Sequence, residues 1–407
     1  YSSSVALNFM FSTSSNNIVR GEVEKFQSQQ RDGFMTKYYR QTFAEINLGA
    51  LRHNLRQVRN MIGRDTMVLG VVKADAYGHG MREISKALVN AGVEYLGVAS
   101  LDEAGELRRS GIKSPIIVLG SILPREADGV LKFNVVQAVS CLSVARALSR
   151  LARKKRKNIK VHIKIDTGMG RLGFWHEEAV DFVKKISSLR NITIEGIFTH
   201  FPSAEDDPFF TKNQLKDFNL LVRDLSDMGI DIPIKHTSNS AALIDFKDAH
   251  MNMVRPGLIM YGLHPRGDLF DRLNLRPVMK LKTKIVNVKR VPKGRSISYG
   301  RKYTANEDTD IAVIPVGYGD GYSRHLSNRA DVLIKGKRAP IVGRICMDMT
   351  MVYVGHIKDA KAGNEVVLIG AQGKDIIRAE ELADLIYTVP YEIVCNIGRR
   401  VPRVYKN

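Results

Sequence analysis

Short apolar runs alternate with helical patterns through the first two thirds of the chain. A short apolar run bounded by turn signals is typical of a buried strand, and apolar residues spaced three and four apart are typical of a helix. Eight strands are predicted on this basis, at residues 67–72, 95–98, 116–119, 135–139, 161–165, 192–198, 232–236 and 254–260. Eight strands that alternate with helices indicate a (β/α)8 barrel of the TIM type. A doubly wound sheet is the alternative, but no G-x-G-x-x-G motif follows the first of these strands.

The pattern changes after about residue 275. Strand-like runs with Gly and Pro between them follow, at residues 279–288, 311–316, 332–334, 350–354 and 365–369. We therefore predict a barrel over residues 43–278 and a C-terminal β-rich domain over residues 279–407. Residues 1–34 are rich in Ser, Asn and Gln and show no clear periodicity. We expect a disordered extension there, without a signal peptide.

Composition narrows the class of protein and its partners. The 407-residue chain has a formal net charge of +20, which attracts anionic ligands such as a phosphorylated cofactor or a carboxylate substrate. The densest basic run, residues 153–157, has no interleaved aromatic residues, so we interpret it as a solvated helix end and expect no nucleic-acid partner. No apolar run reaches the length of about 18 residues that a membrane span needs, so no membrane partner is expected. The three scattered cysteines lack metal-site spacing and indicate a reducing, cytoplasmic compartment and no metal site.

The stretch at residues 71–80, VVKADAYGHG, places a lysine at the end of the first predicted barrel strand. Burial disfavours the charged form of a lysine and makes the neutral amine available as a nucleophile. Lys73 is therefore a candidate for forming a Schiff base with a carbonyl group. A lysine that extends from a strand end into water is the alternative, and this stretch alone does not decide between them.

Other predicted strand ends carry residues suited to an anionic ligand. Function in a barrel lies at the C-terminal ends of the strands, and barrels commonly bind phosphate after strands seven and eight. The candidates are Lys73, Tyr77, Lys164, Arg171, His200, Asn239, Ser240, Arg255, Gly257, Leu258 and Tyr261. Each has a simpler explanation when taken alone. His200 could be a hydrogen-bonded core residue, and Asn239 and Ser240 could begin a helix.

Nine motifs along the chain resemble the alanine racemase family. They are VVKADAYGHG, KIDTGMGRLG, THF, SNSAA, MVRPGLIMYG, SYGRKY, GYGDGYSR, VGRICMDMTMV and RVPRVY, in the family's order over roughly residues 40–405. The resemblance implies a pyridoxal 5′-phosphate (PLP) enzyme with an N-terminal barrel and a C-terminal β domain. It implies interconversion of L-alanine and D-alanine, with D-alanine supplied for peptidoglycan.

The resemblance also assigns roles to single residues. Lys73 would bind PLP as a Schiff base, and Tyr299 matches the second catalytic base. Racemisation removes a proton from one face of Cα and returns one to the other, so one base on each face is the direct solution. The implied cofactor-binding set is Lys73, Tyr77, Arg171, His200, Asn239, Ser240, Arg255, Gly257, Leu258 and Tyr261.

Three of these roles concern charge at the cofactor and the substrate. Arg255 would face the pyridine nitrogen and keep its own proton, which leaves the ring a weaker electron sink and limits side reactions. His200 would support Arg255. Arg171, together with the backbone of Met347, would place the substrate carboxylate. Lys164 matches a lysine that the family often carbamylates, and the carbamate would orient Arg171.

The family's assembly and substrate range bear on this chain as well. The resemblance implies a head-to-tail homodimer with shared sites, because the family's tyrosine base comes from the partner subunit. Tyr318 and Arg399 would lie at the entrance, where Arg399 replaces the tyrosine of the best-known members. This departure keeps a broader racemase, acting on serine, lysine or other amino acids, as an alternative. More distant alternatives are a PLP-dependent amino-acid decarboxylase, and a PLP carrier built from the barrel alone, against which the domain with Tyr299 argues.

Overall fold

The computed structural model describes residues 39–265 and 272–407. The predicted extension at residues 1–34 lies outside the described residues. Residues 42–407 pack as one unit, and all elements below belong to it. No helix within the described ranges is long and apolar enough to cross a membrane.

The first part of this unit is a nearly closed barrel of parallel strands, which confirms the predicted fold class. A first strand, β1 (Phe43–Asn47), precedes it. The barrel strands follow as β2 (Met67–Val71), β3 (Tyr95–Val98), β4 (Ile116–Val118), β5 (Val136–Val139), β6 (Ile159–Asp166) with the short β7 (Phe174–Trp175) beside it, β8 (Ile192–Phe198), β9 (Ile234–His236) and β10 (Met253–Val254). Their ladder runs β10-β2-β3-β4-β5-β6-β8-β9. Beyond the ends of β9 and β10, the N–H of Arg255 donates to the carbonyl of Ser238 at 3.0 Å.

Helices cover the outside of the barrel. They are α1 (Leu48–Ile62), α2 (Met81–Asn90), α3 (Leu101–Arg109), α4 (Ala127–Lys132), α5 (Leu142–Lys154), α6 (Ala179–Ser187), α7 (Pro208–Asp227) and α8 (Ser240–Asp245). Polar side chains begin several of them, because the first N–H groups of a helix have no partner inside it. The side chains of Asn47, Ser100 and Asp207 accept these bonds at α1, α3 and α7.

The eighth predicted strand is shorter in the structure than in the sequence pattern. The run at 254–260 was expected to be one strand, but β10 ends at Val254, and Leu258–Tyr261 forms a 3-10 helix. Pro256 has no N–H to donate to a ladder, and Gly257 adopts a non-strand conformation. The strand therefore breaks where its C-terminal end faces the candidate site.

Strands dominate the second part of the unit. They are β11 (Met279–Lys284), β12 (Asn287–Val291), β13 (Ser296–Ile297), β14 (Tyr303–Thr304), β15 (Thr309–Ile314), β16 (Asp331–Ile334), β17 (Lys337–Pro340), β18 (Thr350–Tyr353), β19 (Glu365–Gln372), β20 (Asp375–Ile377) and β21 (Arg403–Lys406). Two helices, α9 (Ala379–Leu385) and α10 (Pro390–Cys395), lie between β20 and β21.

The N-terminal strand is part of this second region. Strand β1 pairs antiparallel with β11 and parallel with β21, in the sheet β17-β16-β19-β11-β1-β21. The chain therefore starts in the β-rich sheet, passes through the barrel and returns to the same sheet. The division into residues 43–278 and 279–407 stays a proposal. Strand β1 lies in the first of these ranges but pairs with strands of the second.

Candidate active site

Lys73 lies just beyond β2, at the C-terminal end of the barrel, and is half-buried. Burial, and the positive charge of Arg171, lower the pKa of Lys73 below its ordinary value. Glu103 and Cys395 act in the opposite direction but do not reverse the change. The position thus favours the neutral amine, which is the nucleophilic form.

The backbone after Lys73 is left-handed over four consecutive residues that are not glycine. Ala74, Asp75, Ala76 and Tyr77 have φ values of 52°, 53°, 54° and 52°. Left-handed backbone costs L-residues roughly 1–2 kcal/mol each, so such residues occur singly rather than in a row. A turn of this kind persists only where its surroundings enforce it. In proteins generally, residues with such strained backbone conformations cluster at functional sites.

Side chains from nearby elements hold this left-handed turn. The carboxylate of Glu103 accepts the N–H of Ala74 at 2.7 Å. The ring Nδ1 of His79 lies 3.0 Å from the carbonyl of Ala76 and 2.8 Å from that of Tyr77, so Nδ1 carries the proton and donates to both. Burial lowers the pKa of His79 to about 4, which leaves Nδ1–H as the single donor of a neutral ring. These bonds fix the backbone on which Lys73 is carried.

The C-terminal domain closes the other side of the turn. Arg403, on β21, donates from Nε to the carbonyl of Gly78 at 3.0 Å. Gly78 has φ of +77°, and a Cβ there would lie 2.2 Å from the carbonyl oxygen of Val394 on α10. A glycine is therefore required where α10 meets the turn. The second domain thereby helps to shape the lysine site of the barrel.

Three residues of the predicted cofactor-binding set, Tyr77, Ser240 and Gly257, lie together. The N–H of Gly257 donates to Oγ of Ser240 at 3.0 Å. A Cβ on Gly257 would lie 2.7 Å from the hydroxyl of Tyr77, so this hydroxyl reaches the glycine backbone directly. Hydroxyl groups and backbone N–H groups are the donors that phosphate oxygens accept. Leu258 begins the 3-10 helix that follows.

Asn239 shows the helix-capping alternative. Its Oδ1 accepts the N–H of Ala242 at 3.0 Å, and its Nδ2 donates to the carbonyl of Phe201 at 3.1 Å. The side chain is thus engaged in beginning α8 and in holding the end of β8. A direct contact of Asn239 with the cofactor stays a prediction. What its bonds do in the structure is to hold the start of α8, where Ser240 lies. Tyr261 is likewise engaged, since its hydroxyl donates to the carbonyl of Val71 at 2.9 Å.

Arg255 is buried and held by the ends of β8 and β9. Its Nη1 donates to Nδ1 of His236 at 3.0 Å and to the carbonyl of the same residue at 2.7 Å. Its Nη2 donates to the carbonyls of Thr199 and Thr237 at 2.8 Å each, and lies 3.4 Å from Nδ1 of His200. The Nε–H is the guanidinium donor that these bonds do not use. Burial lowers the pKa of Arg255 to about 9.

Lys164 is the second lysine of the site and is buried. Its Nζ has no hydrogen-bond partner among the described residues and lies 4.7 Å from the ring centroid of Phe198. Burial, then the charges of Arg255 and Arg171, lower its pKa far below the ordinary lysine value, against the effect of Asp166. A buried neutral amine is the form that adds carbon dioxide, so the setting suits the predicted carbamylation.

The loop that carries Arg171 is organised by Asp166. The carboxylate of Asp166 accepts the N–H groups of Gly168, Gly170 and Arg171 at 2.9, 3.1 and 3.0 Å. Burial by itself would raise the pKa of Asp166, but these bonds more than offset it and lower the pKa. Arg171 itself is exposed at the mouth of the barrel.

Three further candidates, Tyr299, Tyr318 and Met347, form an exposed patch on the second domain together with Met349, which was not predicted. Their exposed fractions are 69%, 42%, 53% and 50%. The backbone of residues 344–349 joins them: Cys346 bonds to Tyr318 at 3.1 Å and to Met349 at 2.9 Å. Four large apolar or aromatic side chains on one surface are typical of an interaction site.

The backbone around Tyr299 is strained. Ser298 has φ of 64° and ψ of −178°, a region otherwise used almost only by glycine, and Arg301 has φ of 50°. The hydroxyl of Ser298 donates to the carbonyl of Arg344 at 2.5 Å and so holds the loop against residues 344–349. Strained backbone of this kind clusters at functional sites, which makes the loop a candidate functional segment.

Arg400 lies beside the same patch, next in sequence to Arg399. Arg400 donates from Nη2 to Asp348 at 2.6 Å and lies 3.6 Å from Asp320, which belongs to the turn that carries Tyr318. Arg399 is exposed. Arg400, the neighbour of Arg399 in sequence, is thus bonded to the turn that carries Tyr318, and a place of Arg399 at the entrance stays a prediction.

Several residues of the site were not predicted from the sequence. Glu103 and His79 hold the left-handed turn, and His236 bonds Arg255. His236 ends a predicted strand and was detectable by the same argument as His200.

We expect Gly257→Ala to raise the dissociation constant of PLP about tenfold or more. The added Cβ would force the Tyr77 hydroxyl away from its place, and overpacking costs roughly 1–3 kcal/mol. Gly398→Ala is the matched control, since a Cβ there meets nothing closer than 3.5 Å. Equilibrium dialysis against PLP measures both variants. Equal affinities for the two would remove Gly257 from the cofactor site.

Comparison with known proteins shows what this arrangement resembles. The protein-family model "Alanine racemase, N-terminal domain" matches residues 46–265, and the family model "Alanine racemase, C-terminal domain" matches residues 278–405. The chain is 50% identical over 369 residues to an alanine racemase of Halothermothrix orenii, covering 90% of this chain and 97% of that protein.

Solved structures agree with these matches. An alanine racemase of Clostridium difficile 630 superposes with a TM-score of 0.85 at 43% identity, covering 90% of this chain and 96% of that one. An alanine racemase of Bacillus anthracis with bound L-Ala-P superposes with a TM-score of 0.85 at 36% identity, covering 91% and 96%.

Proposed function

From the premise that this chain belongs to the alanine racemase family of isomerases, we propose that it interconverts L-alanine and D-alanine with PLP bound to Lys73. The observation that supports this most directly is the position of Lys73. Burial and the charge of Arg171 lower the pKa of its amine at the barrel mouth, and the cluster of Tyr77, Ser240 and Gly257 offers phosphate contacts. An amine nucleophile and a phosphate site are the two features by which a protein holds this cofactor.

Besides Lys73, the residues present fit PLP at two points. The phosphate would accept hydrogen bonds from the hydroxyls of Tyr77 and Ser240 and would lie against the backbone at Gly257. The pyridine nitrogen would accept the Nε–H of Arg255, the guanidinium donor that the bonds among the described residues do not use. When bound to the amino group of a substrate, PLP withdraws electrons from Cα and makes its proton removable.

The proton transfers would belong to Lys73 and Tyr299. Each would hold or receive the Cα proton on its own face, which requires hydrogen-bond reach from both sides of the substrate. Arg171 and the backbone of Met347 would hold the substrate carboxylate. A carbamate on Lys164 would supply a negative charge beside Arg171 and Arg255, where the described side chains are mostly cationic.

We propose that the active sites are shared in a head-to-tail homodimer. Tyr299 is 69% exposed within its own chain, although a catalytic base must be enclosed with its substrate. The exposed patch that contains Tyr299 would cover the barrel mouth of the partner, and the reverse contact would complete the second site. A dimer of this kind buries four side chains that are otherwise left in water.

The substrate range depends on the entrance. Arg399 carries a positive charge at the position where the best-known members of the family carry a tyrosine, so the mouth would differ in charge from theirs. We propose alanine as the main substrate, with D-alanine serving peptidoglycan synthesis in the cytoplasm. A broader racemase is the second candidate, and the Arg399 position is the observation that favours it.

The test is a chirality assay on the purified protein, preceded by a visible spectrum. We expect an absorbance band of lysine-bound PLP and racemisation of either alanine enantiomer to an equal mixture. Serine and lysine should be at least about tenfold slower, the order that small changes of side-chain size produce in a fitted pocket. Comparable rates on all three would support the broader racemase. Release of carbon dioxide without racemisation would identify a decarboxylase and overturn the proposal.

A further inference from the structure

A chain of buried polar side chains runs from Arg255 through the barrel interior. Nη1 of Arg255 lies 3.0 Å from Nδ1 of His236, and Nε2 of His236 lies 2.8 Å from Nδ1 of His162. Nε2 of His162 in turn faces Oε2 of Glu195 at 3.5 Å, longer than an ordinary hydrogen bond, and neither atom has another hydrogen-bond partner among the described residues. Both histidine side chains are completely buried, and Glu195 is 9% exposed. The chain thus crosses from the cofactor end of the barrel towards the opposite end.

Donors and acceptors fit this chain in only one direction. A guanidinium only donates, so Nδ1 of His236 accepts and its proton sits on Nε2. That proton is donated to Nδ1 of His162, which places the second imidazole's proton on Nε2, towards Glu195. An ionised carboxylate only accepts, so it completes the same order. Burial lowers the pKa of both histidines, which keeps the rings neutral.

The backbone is adapted to admit this chain. Residues Val161 and His162 of β6 pair with Ile194 and Gly196 of β8, so Glu195 is the extra residue of a β-bulge. A bulge redirects a side chain, and here it turns a carboxylate inwards from an apolar strand. A Cβ on Gly196 would lie 2.4 Å from the ring of His162. The glycine therefore leaves the space that the imidazole occupies.

Other groups around Glu195 keep it charged and in place. Nζ of Lys160 lies 2.6 Å from its Oε1, and the Tyr95 side chain lies beside it. Burial would raise the pKa of Glu195, but His162 and Lys160 more than offset this and lower the pKa. The carboxylate is therefore ionised at neutral pH.

We propose that Glu195 is a remote positioning residue for the cofactor's ring nitrogen. Acting through His162 and His236, it fixes both imidazole tautomers and balances the charge of Arg255, so that Nε–H is presented to the ligand. This rests on the proposed binding of PLP.

This chain of polar side chains has a physical purpose, which is to balance the charge of Arg255. Among the described residues, no carboxylate lies within ion-pair distance of Arg255, although this guanidinium is buried. An uncompensated buried charge is costly, and a polarised chain of hydrogen bonds passes part of the compensation over a distance. Glu195 is the acidic group to which this chain leads.

The first test uses the full-length protein as purified, labelled with 15N-histidine. NMR distinguishes the two neutral tautomers, and we expect the Nε2–H form for both His162 and His236. Single-histidine variants assign the signals. A proton on Nδ1 of His162 would reverse the chain and overturn the proposal, without requiring any variant of Glu195 to fold.

The second test compares two carboxylates near the same end of the barrel. Glu195→Gln removes the charge but keeps the shape, and we expect the dissociation constant of PLP to rise about tenfold, the order of one charge-assisted hydrogen bond. We also expect mixed tautomers at His162, because the amide both donates and accepts. Glu94→Gln is the control, since Glu94 bonds Arg59 and the N–H of Val68 but no histidine. Identical results for the two variants would overturn the proposal.

A double-mutant cycle tests the connection itself. His162→Phe breaks the chain, so Glu195→Gln should add little further loss of PLP affinity to it, whereas Glu94→Gln should add its own small effect independently. Additive losses from His162 and Glu195 would show that they act separately. If the wild-type protein shows no band of lysine-bound PLP, the proposed cofactor is wrong. The tautomers of His162 and His236 then still test the order of donors and acceptors from Arg255 to Glu195.

Discussion

Replacing Lys73 with alanine is expected to abolish racemisation and the visible band of lysine-bound PLP. One residue would provide both the covalent attachment and a proton-transfer group, and general acid–base catalysis alone contributes about 10²–10⁴-fold. We therefore expect a loss greater than about 10⁴-fold. The measurement is the rate of D-alanine formation from L-alanine, with the spectrum recorded on the same sample.

Lys164 makes the Lys73 experiment discriminating. It is the other lysine of the site whose pKa burial lowers, and its Nζ has no partner among the described residues. Borohydride reduction of the wild-type protein should fix the cofactor to the peptide that contains Lys73. Recovery of the reduced cofactor on the Lys164 peptide, or a retained band in Lys73→Ala, would transfer the assignment to Lys164.

Tyr299→Phe is expected to slow racemisation by about 10²–10⁴-fold, the usual effect of removing a general base. The loss should be unequal for the two enantiomers, because each base serves one face of Cα. Exchange of the Cα proton into deuterated water, followed for L-alanine and D-alanine separately, measures this asymmetry. Tyr387→Phe is the control, since Tyr387 is an exposed tyrosine of the same domain, outside the exposed patch. Wild-type exchange of both enantiomers in Tyr299→Phe would assign the base elsewhere.

Mixing the two inactive variants tests where Tyr299 acts. In a heterodimer of Lys73→Ala and Tyr299→Phe subunits with shared sites, one site carries both changes and the other carries neither. Up to about half of the wild-type activity per heterodimer should return by this symmetry. If mass measurements show subunit exchange and no activity returns, each site is built from one chain.

The lysine turn shows what local sequence leaves open. The pattern of apolar residues indicated that Lys73 ends a buried strand, and the structure places it two residues after the last residue of β2. Nothing in the residues ADAY predicts four left-handed conformations in a row, since none of them is glycine. Glu103, Arg403 and the helix α10 impose them from three other parts of the chain. The strain is compensated non-locally, and a local pattern does not contain that information.

The sequence by itself determined the (β/α)8 barrel, the β-rich second region and the family, because hydrophobic periodicity and long motifs are local properties. The tertiary structure decided which residues meet. It placed β1 in the second domain's sheet, and it turned Glu195 inwards through a bulge that strand alternation does not reveal. It also exposed Tyr299 on a patch of its own chain. These outcomes depend on pairing and burial between distant segments, and only the folded chain brings those segments together.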